Sequence, residues 1–550
     1  MRRRRAGLVG VALVVAVSAV GAGAVLLRPA TPTSAAGPPH FADETATSGI
    51  QHRYDGDATF AVGGGVAVLD CNGDGRPDLY LAGGAGPAAL YRNDTAVGAP
   101  LRFTHVESPA TDLTAVNGAY PIDLDGDGLT DLVVLRVGES VLLRGRGDCQ
   151  FERANESLGF DGVPGQTTAF SATWEGSAAL PTLAFGHYLT LDPDGSSTAD
   201  CDESVLLRPV AGGSGYGAGV ALSPGYCALS MLFSDWDRSG RRDLRVTNDR
   251  HYYVGGMDQL WRVAQGEPPR LYTADDGWVA MQIEGMGIAS HDLTGDGYPE
   301  LYLTSQGDNK LQTLTAGPEH PTYRDIALRR GVNAAQPFTG GDALPSTAWH
   351  PEFADVNNDG FMDLFVSKGN VSAQLDHAQR DPSNLLLGQP DGTFVEAADQ
   401  AGILTFERGR GAALADFNLD GLLDLVLVNY GADLVIWRNV GTGTAEEPGP
   451  MGHWLALELR QAGANRDAIG AWVEVRIGEV TIRHEVTIGG GHIGGQLGWI
   501  HVGLGPANAA DVRVQWPDGE SGPWIPVNAD EFAIIERGAN TAQRWTPEGP

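Results

Sequence analysis

Asp123-Leu124-Asp125-Gly126-Asp127-Gly128-Leu129-Thr130-Asp131-Leu132 places side-chain oxygens at its first, third, fifth and ninth positions and a glycine at its sixth. That spacing lets a tight turn wrap one hard cation. Calcium takes about six to eight oxygens, accepts a backbone carbonyl (here at the seventh position) and tolerates irregular geometry. The pattern returns at Asp70-Cys71-Asn72-Gly73-Asp74-Gly75-Arg76-Pro77-Asp78-Leu79 and at Asp292-Leu293-Thr294-Gly295-Asp296-Gly297-Tyr298-Pro299-Glu300-Leu301. Asp355-Val356-Asn357-Asn358-Asp359-Gly360-Phe361-Met362-Asp363-Leu364 and Asp416-Phe417-Asn418-Leu419-Asp420-Gly421-Leu422-Leu423-Asp424-Leu425 complete the set. A single acidic Asp-Gly turn is as readily an ordinary β-turn as a metal site. Recurrence at one place in a repeat makes calcium the expected cofactor.

The expected metal ligands are Asp70, Asn72, Asp74 and Asp78; Asp123, Asp125, Asp127 and Asp131; Asp292, Thr294, Asp296 and Glu300; Asp355, Asn357, Asp359 and Asp363; and Asp416, Asn418, Asp420 and Asp424. The third loop, with Thr294 and Glu300, is the weakest of these. Between the loops at 123 and 292 lie two degraded copies. Asp235-Trp236-Asp237-Arg238-Ser239-Gly240-Arg241-Arg242-Asp243-Leu244 has a serine at its fifth position and binds weakly or not at all. Asp192-Pro193-Asp194-Gly195 has its glycine misplaced, so residues 192–202 are expected to be a diverged unit with an insertion and no metal.

A longer unit surrounds each loop. A short apolar strand enters it, as in Gly65–Leu69 or Gly411–Ala415, and an apolar strand opening on Asp-Leu leaves it. A third strand carries Leu-aromatic-Arg or its like (Leu90-Tyr91-Arg92, Leu260-Trp261-Arg262, Ile436-Trp437-Arg438), and a Phe-x-Asx/Glu segment recurs at Phe41, Phe151, Tyr323 and Phe394. About four strands per unit is the size of one propeller blade. The repeat therefore predicts an all-β chain with seven blades over residues 40–445, six being the alternative. Residues 441–452 read as a linker. Short alternating strands at 454–459, 472–477, 480–488, 499–502 and 512–515 predict a small β-sandwich-like domain over 453–537, with Gly489–Gly495 as a turn and 541–550 as a loose tail.

Composition agrees with this class. The chain has 550 residues and 76 glycines, as a turn-rich β protein requires. A formal charge of −32 excludes nucleic-acid binding, which needs a basic face. Residues 1–36 form a targeting segment: Arg2–Arg5, an uncharged apolar run at 6–27, and a small-residue site at Ser34-Ala35-Ala36. The run is also long enough to anchor the chain in a bilayer. Cleaved or anchored, the rest is expected to be secreted, periplasmic or at the cell surface. The four cysteines lie in the exported part, with three connectivities open; Cys201–Cys227 with Cys71–Cys149 is the one expected.

The acidic loops with their flanking strands resemble the FG-GAP/VCBS repeat of integrin-type calcium-binding β-propellers. His453-Trp454-Leu455, Asn465-Arg466-Asp467, Gly503-Leu504-Gly505 and Val514-Gln515-Trp516-Pro517-Asp518-Gly519 resemble the ASPIC/UnbV domain. This order of parts is that of the cartilage acidic protein-like family. The resemblance implies an extracellular calcium-binding module for interaction or adhesion, with a protein or glycan ligand, and it implies no reaction. No catalytic motif stands out and no catalytic residue is assigned. The competing reading is a lyase or hydrolase acting on polysaccharide with structural calcium, its site a cluster of groups such as His187, Tyr188, His251, Tyr252 and His350 at the propeller's funnel.

Overall fold

The computed structural model describes residues 35–547 apart from 193, 194, 196, 214, 250–254, 334–345, 372–377, 379 and 380. Residues 1–34 of the expected targeting segment, with His251 and Tyr252, thus lie outside the described residues. Among those described, strands dominate and helix is confined to single turns.

Residues 41–439 form seven four-stranded antiparallel arrays among the described residues. The first is Val66–Leu69, Asp78–Leu81, Ala89–Asn93 and Phe103–His105; the second Val116–Ile122, Asp131–Gly138, Val141–Gly145 and Phe151–Arg153. The third is Gly165–Thr173, Thr182–His187, Ser204–Leu207 and Val220–Leu222, joined to the second at Gly165–Gly138. Ala228–Ser234, Asp243–Asn248, Gln259–Arg262 and Arg270–Leu271 make the fourth, and Gly285–His291, Glu300–Ser305, Lys310–Leu314 and Tyr323–Asp325 the fifth. The sixth is Ala348–Ala354, Asp363–Lys368, Asn384–Gly388 and Phe394–Glu396. In the seventh, Gly409–Ala415, Asp424–Asn429 and Val435–Asn439 take their fourth strand from the start of the chain: Phe41 pairs with Asn439 and Asp43 with Trp437.

Local chemistry explains the repeat. Each acidic loop joins the first strand of an array to the second, and its ninth residue opens that second strand. The leucine that follows turns into the core and pairs with the large residue of the third strand, as in Leu79–Tyr91, Leu244–Trp261 and Leu425–Trp437. The first strands, such as Val116–Ile122 and Ala228–Ser234, are buried along their whole length because both of their faces are covered. The Phe-x-Asx segments are fourth strands, so the sequence unit and the structural unit are offset by one strand. The third array has no acidic loop between its first two strands. Asp192 instead lies in an inserted hairpin, Leu189–Leu191 with Ser197–Cys201.

Neighbouring arrays are tied to one another by hydrogen bonds from their inner parts. The Gly65 amide donates to the Asn117 carbonyl (2.8 Å), Asn117 Nδ2 to Thr167 (2.9 Å) and Thr168 Oγ1 to Ala228 (2.7 Å). Arg245 Nη2 donates to Gln312 Oε1 (2.7 Å), Thr304 Oγ1 to Trp349 (2.6 Å) and Ser367 Oγ to the Arg410 carbonyl. The Gly411 amide donates to Gly64 (3.0 Å), linking the seventh array to the first.

The C-terminal domain is two four-stranded sheets. His453–Arg460 lies between Ile500–Gly505, antiparallel, and Glu531–Glu536, parallel; Gln543–Trp545 extends the latter. Trp472–Ile477 lies between Val480–Glu485 and Ala509–Gln515, with Ile525–Asn528 outside. Leu455, Leu457, Val473, Val475, Val512 and Ile535 share the core between them. Residues 543–545 are therefore a strand where a tail was expected, and Trp545 packs on Trp499 and Phe532.

The strand expected over 480–488 ends at Glu485. From there residues 486–498 leave the sandwich and run among the arrays. Gln496 bridges to Val68, Gly494 to Ala119, Ile488 to Ala172, Gly489 to Leu232 and Gly491 to Ile288, while the His492 amide donates to His350 Nδ1. One glycine-rich segment thus meets the first strands of six arrays. Its glycines serve close approach: a β-carbon on Gly494 would overlap the Val66 carbonyl, and one on Gly118 the Ile493 carbonyl.

Both expected disulfides form. Cys71–Cys149 ties the first acidic loop to the second array, and Cys201–Cys227 ties the inserted hairpin to the fourth.

Candidate metal centres

Each acidic loop is organised by its own side chains. The first-position carboxylate accepts the amide of the sixth-position glycine: Asp70 from Gly75 (2.8 Å), Asp123 from Gly128 (2.9 Å), Asp292 from Gly297 (3.0 Å), Asp355 from Gly360 and Asp416 from Gly421 (both 2.7 Å). The fifth-position aspartate accepts the seventh-position amide at 2.9–3.0 Å in all five. These are Asx turns, which curl the backbone with carboxylates on its inner side.

The ninth position does something further. Both oxygens of Asp78 accept amides, from Cys71 (2.8 Å) and Asn93 (2.7 Å). Asp131 accepts from Leu124 and Gly145, Asp363 from Val356 and Gly388, and Asp424 from Phe417 and Asn439. The carboxylate staples the start of the loop to the end of the third strand. Each oxygen keeps a lone pair for a cation, since a carboxylate offers about four acceptor sites. Burial pushes Asp131 up to about 7, with the Asp125 and Asp123 charges adding to the shift, and raises Asp78, Asp363 and Asp424 well above the usual carboxylate range.

The residue types at 70, 123, 355 and 416 suit a hard cation, and in the loop at 123 the oxygens also converge. Asp123, Asp125 and Asp131 bring one oxygen each within 4.8 Å of one another. Cys71 and Cys149 also stand beside Asp78, but as a disulfide they offer no thiolate. The loops at 235 and 292 differ. Arg241 Nε and Nη2 grip both oxygens of Asp243 (2.9 and 3.0 Å), and Nη2 reaches Asp237 Oδ2 (3.3 Å). Arg483, from the C-terminal domain, donates from Nη1 to Asp292 Oδ2 (3.1 Å) and to the Gly295 carbonyl (3.3 Å). Glu300 accepts from the Leu293 and Thr294 amides and from the hydroxyls of Thr294 and Thr313.

All six loops touch the C-terminal domain, a relationship no local pattern announces. Trp499 Nε1 donates to the Gly75 carbonyl (2.9 Å), and residues 464 and 466 cover Gly126 and Gly128. The Arg238 guanidinium lies over Trp472 at 4.1 Å and bonds Gln515 (2.7 Å). His501 Nε2 lies 2.6 Å from Asn358 Oδ1, and the Trp454 indole covers Gly421. Between loops and domain remains a cavity of about 510 Å³ whose lining includes Asp70, His291, His350, Glu352, His484 and Trp499.

Of the described residues suggested for a catalytic cluster, His187 and Tyr188 are buried among neighbours, while His350 lines that cavity. His187 Nδ1 faces the Glu203 carbonyl (3.0 Å), and Tyr188 Oη donates to Asp249 (2.5 Å). His350 receives the His492 amide, and His492 lies against Trp349 with ring centres 4.9 Å apart. Trp349, Arg410 and His492 are all 0% exposed.

Comparison with known proteins agrees with these parts. An FG-GAP-like repeat model matches residues 70–134 and 292–366, and an ASPIC and UnbV model matches 461–542. The chain has the make-up of the cartilage acidic protein-like family: FG-GAP-like repeats followed by an ASPIC/UnbV domain. It is similar to cartilage acidic protein 1 of Xenopus tropicalis, 25% identical over 262 residues that cover 42% of this chain and 37% of that one. The Homo sapiens protein of that name is 24% identical over 232 residues, covering 39% and 32%. The chain thus spans about a third of the length of the curated relatives it matches. Among solved structures, an Agrocybe aegerita lectin recognising non-reducing terminal N-acetylglucosamine aligns at TM-score 0.40 and 15% identity, covering 70% of this chain and 92% of the lectin. The extracellular domain of a putative hybrid two-component system of B. thetaiotaomicron aligns at TM-score 0.40 and 9% identity, covering 92% and 60%.

Proposed function

We propose that the protein is an exported calcium-binding β-propeller of seven blades that acts as an interaction or adhesion module, in the extracellular space or at the cell surface. The observation that carries this reading is the repeated loop geometry: four loops share the same Asx turns, the same glycine contact and the same ninth-position staple, and at 123 three carboxylates converge within 4.8 Å. Ring closure is supported by the strand Phe41–Asp43 completing the seventh array and by the unbroken circle of inter-array hydrogen bonds. Asn93 Nδ2 adds to it by donating to the Phe417 carbonyl (2.8 Å), from the first array to the loop of the seventh. Closure removes strand edges that would otherwise pair with other chains.

Export is supported by two disulfides, which persist in oxidising compartments, and by the likeness to cartilage acidic protein 1. Among the described residues no helix is long and apolar enough to cross a membrane. The ligand is a protein or a glycan. Because the loop face is covered by the C-terminal domain and residues 486–498 run among the first strands, the ligand is assigned to the outer loops of the ring. Trp349, Arg410 and His492 are buried as packing groups, in keeping with a binding module rather than a polysaccharide-acting enzyme built on them.

Calorimetric titration with calcium tests the first part of the reading, and glycan and protein arrays probed with and without calcium test the second. Absence of calcium binding at low ionic strength would remove the metal assignment. Turnover of a polysaccharide would restore the enzyme reading.

A further inference from the structure

The six acidic loops are not equivalent in how their charge is answered. At 235 the seventh-position Arg241 spans the third and ninth positions, gripping both oxygens of Asp243 and touching Asp237. A guanidinium that joins these two carboxylates stands where a wrapped cation would join them. Bidentate geometry and burial make the pair strong: the Asp243 side chain is 0% exposed. The fifth position here is Ser239, where the other five loops carry an aspartate.

At 292 the cation comes from another domain. Arg483 projects from the strand Val480–Glu485 and is held from behind by Glu474, its cross-strand neighbour (Nε to Oε1, 3.3 Å). Its Nη1 enters the loop, on Asp292 Oδ2 and the Gly295 carbonyl, against a carboxylate side chain that is 0% exposed. At its third position this loop carries Thr294 where the loops at 70, 355 and 416 carry an asparagine, and Glu300 is already committed to four donors. At 123, by contrast, the arginine present is Arg144, and its Nη2 pairs with Oδ2 of Asp125 (2.7 Å) and leaves Asp123 to its amides.

We propose that two of the six loops carry an arginine in place of a metal ion, Arg241 at 235 and Arg483 at 292, so that the chain loads divalent cations only at 70, 123, 355 and 416. The inference rests on the calcium-binding reading above and divides its sites. At 292 the substitution turns a metal loop into a socket for the C-terminal domain, because the charge that neutralises it arrives with that domain. Asp292 Oδ1 is buried without a partner, and it is the oxygen that a metal ion loading beside Arg483 would have to take.

Native mass spectrometry of the full chain in calcium counts the ions. The expected result is four, falling to three in Asp127→Ala and staying at four in Asp292→Asn. Arg483→Gln should raise the count to five, and Asp292→Asn in that background should return it to four. Five ions in the wild-type chain, with one lost in Asp292→Asn, would overturn the assignment of Arg483 while leaving the calcium reading intact. No ions at all would overturn both. Should Arg483→Gln not fold, the Asp292→Asn count in the otherwise natural chain still decides.

Discussion

The backbone amide of His492 donates to Nδ1 of His350 across 3.1 Å, fixing the tip of the C-terminal domain's buried segment to the first strand of the sixth array. The contact brings together two residues far apart in sequence. It makes the C-terminal domain a packed part of the body of arrays rather than a module hung from its end.

That placement has a pH signature. His492 is fully buried beside Arg410 and His350, with the Met286 and Val62 carbonyls facing its ring. Burial, with the two neighbouring charges, holds its imidazole down at about 3, where an unfolded chain has 6.5. The folded state therefore resists a proton that the unfolded state accepts. Stability from this group is complete above 6.5 and is lost as pH falls toward 3, by about 2 kcal/mol at pH 5. Urea unfolding at pH 7 and pH 5 should show a loss about 2 kcal/mol smaller in His492→Asn than in the wild type. Parallel losses would mean that His492 is not held neutral in the interior.

The axial segment is packed backbone to backbone. Gly118→Val would drive a branched side chain into the Ile493 carbonyl and side chain. Overpacking of this kind costs about 1–3 kcal/mol, and the midpoint of thermal unfolding should fall accordingly. An unchanged midpoint would show that residues 486–498 do not fill the ring.

The two disulfides should differ in worth. Cys71–Cys149 closes a span of 78 residues and Cys201–Cys227 one of 26. Loop-closure entropy then gives about 4–5 kcal/mol for the first and about 3–4 kcal/mol for the second. Paired serine variants should rank in that order in denaturant. Because Cys71 is the second residue of an acidic loop whose amide is held by Asp78, its removal should also weaken one calcium site, which the Cys201/Cys227 pair should not.

Much of this architecture was legible because its signals are local. The spacing of Asp123, Asp125, Asp127 and Asp131 fixes a turn, and Leu132 fixes the strand that follows. The same holds for the third strands, whose Tyr91, Trp261 and Trp437 pair with the leucines. What escaped is long-range. Gly489–Gly495 reads as a turn because a glycine run shows that backbone comes close to something, not what it comes close to. Nothing near Arg483 in sequence points to Asp292, and nothing near Trp545 points to Trp499. The diverged third array misled differently: Asp192 imitates the start of a loop, yet its hairpin is an insertion between the second and third strands.

Calcium should act on the whole body, since its loops lie between the ring and the C-terminal domain. Sites of this class bind at about 10⁻⁴–10⁻³ M, and each contributes about 1.4 kcal/mol when the ion is present at ten times its Kd. Cations on buried carboxylates would feed directly into folding free energy. Thermal unfolding of the full chain, in calcium and in chelator at equal ionic strength, is the most direct test. The expected result is one cooperative transition for ring and C-terminal domain together, several degrees higher in calcium. A melting temperature indifferent to the chelator, or a C-terminal domain that unfolds separately and without regard to calcium, would contradict a calcium-stapled propeller plugged by its own C-terminal domain.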